Sequence, residues 1–179
     1  MAGARRVRPA RPGEAGALAE LSVAAWRAAY PGLVPQDYLD ALRPAARLAG
    51  FEAALAATAW PRRGVLVLEG PEGAPLGFCS LGPSRDDDAE PGAVGEIETF
   101  YLHPGAFGTG AGDLLMAGAL AQLASGGFGR ATLWVLGTND RARRFYARHG
   151  WRPDGATRRH DWEAFVATDV RYARAVAAP

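Results

Sequence analysis

The sequence predicts an α/β protein built on a mixed sheet. Two observations carry this prediction. Patterns typical of amphipathic helices fill the first third of the chain, and from Gly64 apolar, strand-like runs first form a hairpin and then alternate with helical patterns. The pattern contains no internal repeat and no linker that would separate a second domain. We therefore expect residues 1–179 to form one domain with a sizeable core.

The first third contains a short strand and three helical segments. A strand near Arg5 to Pro9 precedes a helix from Glu14 to Ala29, which Pro31-Gly32 ends. The stretch PQDYLDAL forms a short helical turn. A further helix begins at Pro44 and ends before Pro61, since proline is well tolerated in the first turn of a helix and poorly inside it.

The remainder alternates strands with helices. Strands are predicted at VLVLE, LGFCSLG, VGEIETFYL, ATLWVL and VATDVRYARAV, and the stretch WRPDG is interpreted as a turn. The segment PSRDDDAEPG is interpreted as a solvated acidic connection. Two helices are predicted, from Asp113 to Ala124 and from Asn139 to His149; Asn139 is placed to cap the second, and Gly150 to end it.

Composition excludes several classes of function. The formal charge of +1 gives no reason to expect a nucleic-acid or anionic-membrane partner. All 20 cationic side chains are arginine, so lysine Schiff-base chemistry and the lysine of an ATP-binding loop are excluded. Cys79 is the only cysteine and lies in an apolar run, so we expect it to be packed in the core. With so few thiols we expect no structural zinc cluster and no metal.

The chain carries no pattern of a targeting or membrane segment. Its first residues are basic without an apolar stretch behind them, and no apolar run approaches the roughly 20 residues of a membrane span. We expect a soluble, cytoplasmic protein.

A glycine-rich stretch, YLHPGAFGTGAGDLLM, links the third predicted strand of the second part to a helix. A helix start presents unpaired N–H groups, and glycine lets an anion approach them, so phosphate is a natural ligand. The dinucleotide pattern G-x-G-x-x-G fails, and so does the P-loop. The pattern [Gln/Arg]-x-x-G-x-[Gly/Ala] matches from Phe107 to Gly112 except at its first position. A tight turn that needs positive φ is the structural alternative.

The stretch TLWVLGTNDRARRFYARHGWRPDG adds a second motif. Asn139, Ala142, Phe145, Tyr146, Gly150 and Trp151 occupy the places of the pattern Asn-x-x-Ala-x-x-Phe-Tyr-x-x-x-Gly-[Phe/Trp]. Together with the glycine loop, it resembles the GCN5-related N-acetyltransferase (GNAT) superfamily, bacterial branch. AWRAAYPGLVP resembles the first helix and turn of many bacterial members. The resemblance therefore covers nearly the whole chain.

The resemblance implies an α+β GNAT fold, with a mostly antiparallel sheet of about six to seven strands and helices on both faces. It implies acetyl-CoA as co-substrate, without a metal, and a primary amine of a small molecule or of a peptide or protein N-terminus as acceptor. The two would react directly in a ternary complex. The alternative is a non-catalytic module with this fold that binds acyl-CoA as a sensor or interaction partner. Dimers are frequent among relatives, so a homodimer stays open.

The resemblance also implies catalytic roles. Tyr146 holds the position of the acid that protonates the CoA sulfur; packing on the buried face of its helix is the alternative. Glu96 and Glu98 share one face of their strand and are the candidate bases, with a water chain as the alternative. His103 is interpreted as a turn residue and His149 as part of a helix end, and His160 has no evident partner.

The binding residues follow from the same resemblance. Phe107 stands where most members have Gln or Arg, and Thr109 replaces a frequent arginine, so donor affinity is expected to be modest. Trp26 and Tyr30 lie four residues apart on one helix, and contact with the acceptor and packing in the core are the alternatives for them. The predicted donor-binding residues are Leu102, Phe107, Gly108, Thr109, Gly110, Ala111, Gly112, Asp113, Asn139 and Arg143. For Arg141, Arg143, Arg144 and Arg148 the alternatives are a solvated face and contact with the CoA 3′-phosphate.

Overall fold

The structure is a computed structural model that describes residues 4–161 and 165–177. In this part of the chain seven strands form one sheet. They are Arg6–Pro9 (β1), Gly64–Glu69 (β2), Pro75–Pro83 (β3), Val94–Leu102 (β4), Arg130–Leu136 (β5), Arg152–Asp161 (β6) and Val166–Ala175 (β7).

Five α-helices accompany the sheet in the described residues. They are Ala15–Ala29 (α1), Gln36–Ala41 (α2), Pro44–Ala56 (α3), Ala111–Ser125 (α4) and Asp140–Arg148 (α5). A short 3-10 turn, Pro104–Ala106, joins β4 to the glycine stretch before α4. None of the described helices has the length and apolar character needed to cross a bilayer.

The strands follow the order β1-β2-β3-β4-β5-β7-β6. The pair formed by β4 and β5 is parallel, and the other neighbouring pairs are antiparallel. The predicted mixed, mostly antiparallel sheet is therefore confirmed. That residues 1–179 form one domain stays a prediction, and residues 1–3, 162–164 and 178–179 lie outside the described residues.

Helices pack on both faces of this sheet. On one face Leu115 and Met116 of α4 are fully buried in a cluster with Leu66 and Leu68 of β2. The alternate β2 side chains, Val65 and Val67, point the other way and pack against α1 and α3. Because successive side chains of a strand point to opposite faces, one short apolar strand contributes to both cores. Cys79 belongs to the α4 cluster, as predicted; burial raises the pKa of its thiol.

The parallel pair of strands opens midway. β4 and β5 pair from Val94 to Ile97 and from Arg130 to Leu133, and the ladder stops there although both strands continue. Next to this point, Ser80 of β3 pairs with Thr99 while Leu81 pairs with Ile97, so Glu98 is the extra residue of a β-bulge. The fold thus separates the second halves of β4 and β5.

The structure of two stretches differs from what the sequence predicted. WRPDG, predicted to be a turn, opens β6, which pairs with β7 along most of its length. The acidic connection is not merely solvated: Asp86 accepts a hydrogen bond from the Trp134 indole at 3.0 Å, and Asp86 and Asp88 bind Arg171. Because Arg171 is itself mostly buried, it needs these carboxylates as partners.

Candidate active site

A cavity of about 630 Å³ lies where β4 and β5 separate. Its walls come from α1, the later parts of β4 and β5, the glycine stretch, the start of α4, and α5, β6 and β7. Elements distant in the sequence therefore meet around one space. Its size is in the range of pockets that bind small molecules.

The glycine stretch makes a turn with two left-handed residues. Gly108 has φ of 71° and Gly110 has φ of 77°, and a Cβ atom added at either would meet nothing within 4 Å. His103 precedes this turn, and its Nδ1 accepts a hydrogen bond from the Gly105 N–H at 3.1 Å, as expected of a turn residue. The tight turn predicted as the structural alternative is present, and the bare backbone also faces open space in the cavity wall.

The turn leaves main-chain donors at the start of α4. The first helical bond runs from the Leu114 N–H to the Gly110 carbonyl, and the N–H groups from Gly108 to Asp113 donate to no backbone carbonyl of the described residues. The positive end of the helix dipole lies at the same place. The start of this helix can therefore hold an anion such as a phosphate.

The predicted donor-binding residues divide into two groups. Thr109 and Ala111 do not line the cavity: the Thr109 hydroxyl donates to the Ala106 carbonyl at 2.8 Å, and Ala111 is fully buried. The others on this stretch and on the neighbouring strand line it, namely Leu102, Phe107, Gly108, Gly110, Gly112 and Asp113. For Thr109 and Ala111, main-chain groups rather than side chains are the possible contacts.

Arg143 occupies a different position from its prediction. Its guanidinium donates to the Tyr172 hydroxyl at 3.2 Å and to the Gly137 carbonyl at 2.9 Å, and it does not line the cavity. Spacing of three and four residues along α5 instead brings Arg141, Arg144 and Arg148 to the cavity. The cationic face of α5 at the cavity is therefore made by three other arginines.

Arg141 reaches Phe107, the residue that departs from the usual motif. Its guanidinium carbon lies 4.2 Å from the centre of the Phe107 ring, and both residues line the cavity. A guanidinium over an aromatic face is held by a cation–π interaction. The aromatic ring of Phe107 thus holds the Arg141 cation beside the glycine turn.

Tyr146 lies on the inner face of α5 and lines the cavity. It is 8% exposed and packs edge-on against Phe100 and Phe145. Burial raises the pKa of its phenol well above the usual value, with Tyr101 the next largest cause. Its hydroxyl makes no hydrogen bond to a described residue. It therefore keeps its proton at neutral pH and can donate it to a ligand atom.

Asn139 caps α5 as predicted. Its side-chain oxygen accepts a hydrogen bond from the Ala142 N–H at 3.1 Å. The residue is buried and also lines the cavity. The cap fixes the side chain and thereby the start of the helix that carries Tyr146.

Glu96 and Glu98 lie on the same face of β4 and contact the same arginine. Both carboxylates lie near the guanidinium of Arg85, at 3.1 Å for Glu96 and 3.8 Å for Glu98. The second oxygen of Glu96 accepts the Arg85 backbone N–H at 3.1 Å, and Glu96 does not line the cavity. Glu98, at the bulge, lines the cavity and pairs with Arg63 at 3.0 Å.

The two aromatic residues predicted to contact the acceptor form one wall of the cavity. Trp26 and Tyr30 stack with their ring centres 4.3 Å apart and an interplanar angle of 12°. Both line the cavity, next to Val34 and Phe165. Burial raises the pKa of the Tyr30 phenol well above the usual value. This wall is therefore aromatic, and its Tyr30 phenol is uncharged at neutral pH; the Arg47 guanidinium carbon lies 5.0 Å from the Trp26 ring centre.

Sequence reasoning missed the residues that β6 and β7 contribute. Arg158, His160, Ala167 and Asp169 line the cavity, because β6 and β7 pair with Arg158 opposite Asp169 and His160 opposite Ala167. His160 has a partner after all, since its Nδ1 lies 3.4 Å from a carboxylate oxygen of Asp169. Alternation along the predicted last strand could have found Ala167 and Asp169. Arg158 and His160 lie on β6, whose mostly exposed residues give no such signal.

No group of three or more His, Cys, Asp or Glu side chains that could hold a metal ion occurs within residues 4–161 and 165–177. That no metal takes part stays a prediction.

Fold and cavity together define an α/β protein whose sheet opens between two parallel strands beside a helix N-terminus. The model of the Acetyltransferase (GNAT) family matches residues 22–151. The chain belongs to this family.

Known proteins similar to this chain agree with that assignment. It is 32% identical over 125 residues to "Uncharacterized N-acetyltransferase YuaI" of Bacillus subtilis (strain 168). That match covers 68% of this chain and 66% of the relative, so it spans about two thirds of the relative's length.

Two solved structures show the same fold at low identity. The PaiA N-acetyltransferase of Thermoplasma acidophilum, solved with coenzyme A, superposes with a TM-score of 0.73 at 16% identity, covering 96% of this chain and 99% of that one. For yncA of Salmonella typhimurium, solved with its cofactor acetyl-CoA, the TM-score is 0.69 at 20% identity, with 99% and 98% covered.

Proposed function

We propose that the chain is an acetyl-CoA-dependent N-acetyltransferase that transfers an acetyl group to a primary amine. One observation carries the proposal: a glycine turn with unpaired main-chain N–H groups and the tyrosine Tyr146 line the same cavity. The first can hold the diphosphate of a CoA thioester, and the second can meet its sulfur. The PaiA and yncA structures, which contain coenzyme A and acetyl-CoA, support the choice of donor.

The cavity fits the parts of such a donor. The open glycine turn leaves room for the diphosphate, where any Cβ atom would take up space. Arg141, Arg144 and Arg148 add positive charge beside it. The amide-bearing arm of the donor would lie between β4 and β5, where the ladder has ended and main-chain groups can hydrogen-bond to it.

The reaction is direct attack in a ternary complex. The neutral amine attacks the thioester carbonyl and a C–N bond forms. The C–S bond then breaks, CoA leaves as a thiolate, and the new amide nitrogen gives up its extra proton to water. An alkyl ammonium has a pKa of about 10.4, so its proton must first pass to a base. Of the two glutamates on β4, Glu98 lines the cavity and takes that proton, directly or through a bound water.

Tyr146 assists the leaving group. Because burial raises the pKa of the phenol, the hydroxyl is protonated throughout the neutral range and donates to the departing sulfur. A CoA-like thiol has a pKa of about 8.5, so the thiolate is a good acceptor for this hydrogen bond. Asn139 holds the N-terminus of α5 and thereby the position of Tyr146.

An amine screen tests the proposal. CoA release is measured with a thiol reagent over amino acids, polyamines, aminoglycosides and short peptides, with acetyl-CoA as donor. The chain contains no lysine, so acetylation of its own side-chain amines cannot produce a false signal. We expect turnover with at least one amine. If acetyl-CoA raises the melting temperature and no amine reacts, the chain is the non-catalytic acyl-CoA-binding module instead.

A further inference from the structure

Among the described residues, the guanidinium of Arg158 is bonded through only one of its three nitrogens. Its Nε donates to a carboxylate oxygen of Asp169 at 3.3 Å, and its guanidinium carbon lies 4.4 Å from the centre of the Trp134 ring. The Trp134 indole is itself fixed, because its Nε1 donates to Asp86 at 3.0 Å. The guanidinium is thus stacked on a hydrogen-bonded indole ring and bonded to Asp169 through its Nε.

The other edge of this guanidinium is available. Neither terminal nitrogen of Arg158 hydrogen-bonds to a described residue, although the side chain lines the cavity. Two parallel N–H groups on a fixed plane match the two oxygens of a carboxylate. Arg158 is therefore arranged to bind an anionic group that enters from the cavity.

The surroundings favour a carboxylate over a dianion. At Arg158 itself the negative charge of the bonded Asp169 carboxylate disfavours a dianion. Glu98, which also lines the cavity, can attract an ammonium group. The nearby wall of Trp26, Tyr30 and Phe165 is apolar. A ligand with an ammonium, a carboxylate and an apolar side chain complements all three features.

Resting on the proposed N-acetyltransferase activity, we infer that the acceptor is an α-amino acid with an apolar side chain and that Arg158 binds its carboxylate. Arg158 acts as a specificity residue: it holds the acceptor and takes no part in proton transfer. The bidentate, charge-assisted pair then makes the protein select amino acids over amines of the same size that lack a carboxylate.

The test compares three versions of each acceptor: phenylalanine, leucine and methionine, their amides, and the corresponding decarboxylated amines. For the wild type we expect kcat/KM to be at least about tenfold higher for the amino acids than for the other two versions. Arg158→Met is expected to lower kcat/KM for amino acids about 10–100-fold, mainly through KM, and to leave the amides unchanged. Arg158→Lys keeps the positive charge but loses the two parallel N–H groups. Its kcat/KM for amino acids should therefore lie between the values of the wild type and of Arg158→Met.

Arg159→Met is the matched control. Arg159 is the next residue of β6, is exposed, does not line the cavity, and lies opposite Thr168. It should leave every acceptor unchanged. Turnover of the amides by Arg158→Met also shows that the variant is folded.

Outcomes for this inference and for the activity are separate. Equal wild-type efficiency with and without the carboxylate, or equal losses for both in Arg158→Met, overturns the inference and leaves the activity standing. If no amine reacts, calorimetry with the CoA-loaded protein decides. If the wild type binds the amino acids and Arg158→Met does not, the carboxylate site at Arg158 is supported and the proposed activity is not. No binding overturns both.

Discussion

Arg85 binds Glu96 through its side chain and its backbone. The guanidinium donates to one carboxylate oxygen at 3.1 Å, and the Arg85 backbone N–H donates to the other at 3.1 Å. Both oxygens of this buried carboxylate are therefore engaged. Glu98, two residues later at the bulge, keeps a surface in the cavity.

We therefore expect Glu98→Gln to lower kcat with the best amine about 10–100-fold, because the amide cannot accept the ammonium proton. Glu96→Gln is the matched comparison. It should mainly lower the free energy of unfolding, by about 1–3 kcal/mol, since it weakens the bonds to Arg85. Steady-state kinetics and urea unfolding on both variants check this. A larger kcat loss in a stably folded Glu96→Gln variant would assign the base to Glu96.

Tyr146→Phe should lower kcat about 10–1000-fold with little change in the KM for acetyl-CoA, because the sulfur loses its proton donor. Burial raises the pKa of the Tyr146 phenol above its usual value, so the hydroxyl stays protonated from pH 7 to pH 9. The loss in kcat should therefore be constant over this pH range. Tyr172→Phe is the control: it removes a hydroxyl that bonds Arg143 outside the cavity. Wild-type turnover of Tyr146→Phe would remove this residue from the mechanism.

Gly110→Val should weaken acetyl-CoA binding more than tenfold. The residue has φ of 77°, where a non-glycine residue costs about 1–2 kcal/mol, and the side chain would fill the open space at the turn. Gly73→Val matches it, because Gly73 has φ of 83° with equally open surroundings and does not line the cavity. Calorimetry with acetyl-CoA should show loss for the first variant alone. Equal affinities in both variants would place the diphosphate elsewhere.

Glu14→Gln should lower the free energy of unfolding by about 1 kcal/mol at pH 7, a value limited by solvent screening. Bonds from the Arg8 side chain, and then from the Arg11 backbone N–H, hold the pKa of Glu14 below its usual value. The carboxylate therefore stabilises the fold above the unfolded-state pKa of about 4.3, and this is lost as the pH falls through the lower, folded-state value.

The measurement is urea unfolding of wild type and variant from pH 7 to pH 3. Their difference should shrink steadily below about pH 4. Glu20→Gln, an exposed substitution on α1, should give no difference at any pH. A Glu14 difference that did not shrink between pH 5 and pH 3 would contradict the ionic explanation.

Local patterns in the sequence were sufficient for most elements. The helical repeat predicted α1, and the Asn139 cap and the following Phe145–Tyr146 pair predicted α5, because their determinants lie within one or two turns. β6 escaped prediction for a physical reason. Most of its residues are exposed, so it lacks the apolar alternation that marks a strand, and it forms because β7 pairs with it.

Long-range contacts were beyond sequence reasoning. Arg171 reaches Asp88 across 83 residues, and no local pattern connects them. Arg143 was predicted to bind the donor from the family resemblance, whereas the orientation of α5 brings Arg141 to the cavity instead. The acidic connection looked solvated because its partner arginine lies on the last strand.

Because the ladder between β4 and β5 ends early, the later halves of these two strands have unpaired edges that face each other across an opening. A pantetheine arm lying there would supply amide groups to both inner edges and so act as secondary structure that the polypeptide itself omits. In each round of turnover the sheet would be completed when the donor arrives and reopened when the spent carrier departs. The amides along these edges should consequently exchange their hydrogens fast in the empty protein and slowly in the loaded one.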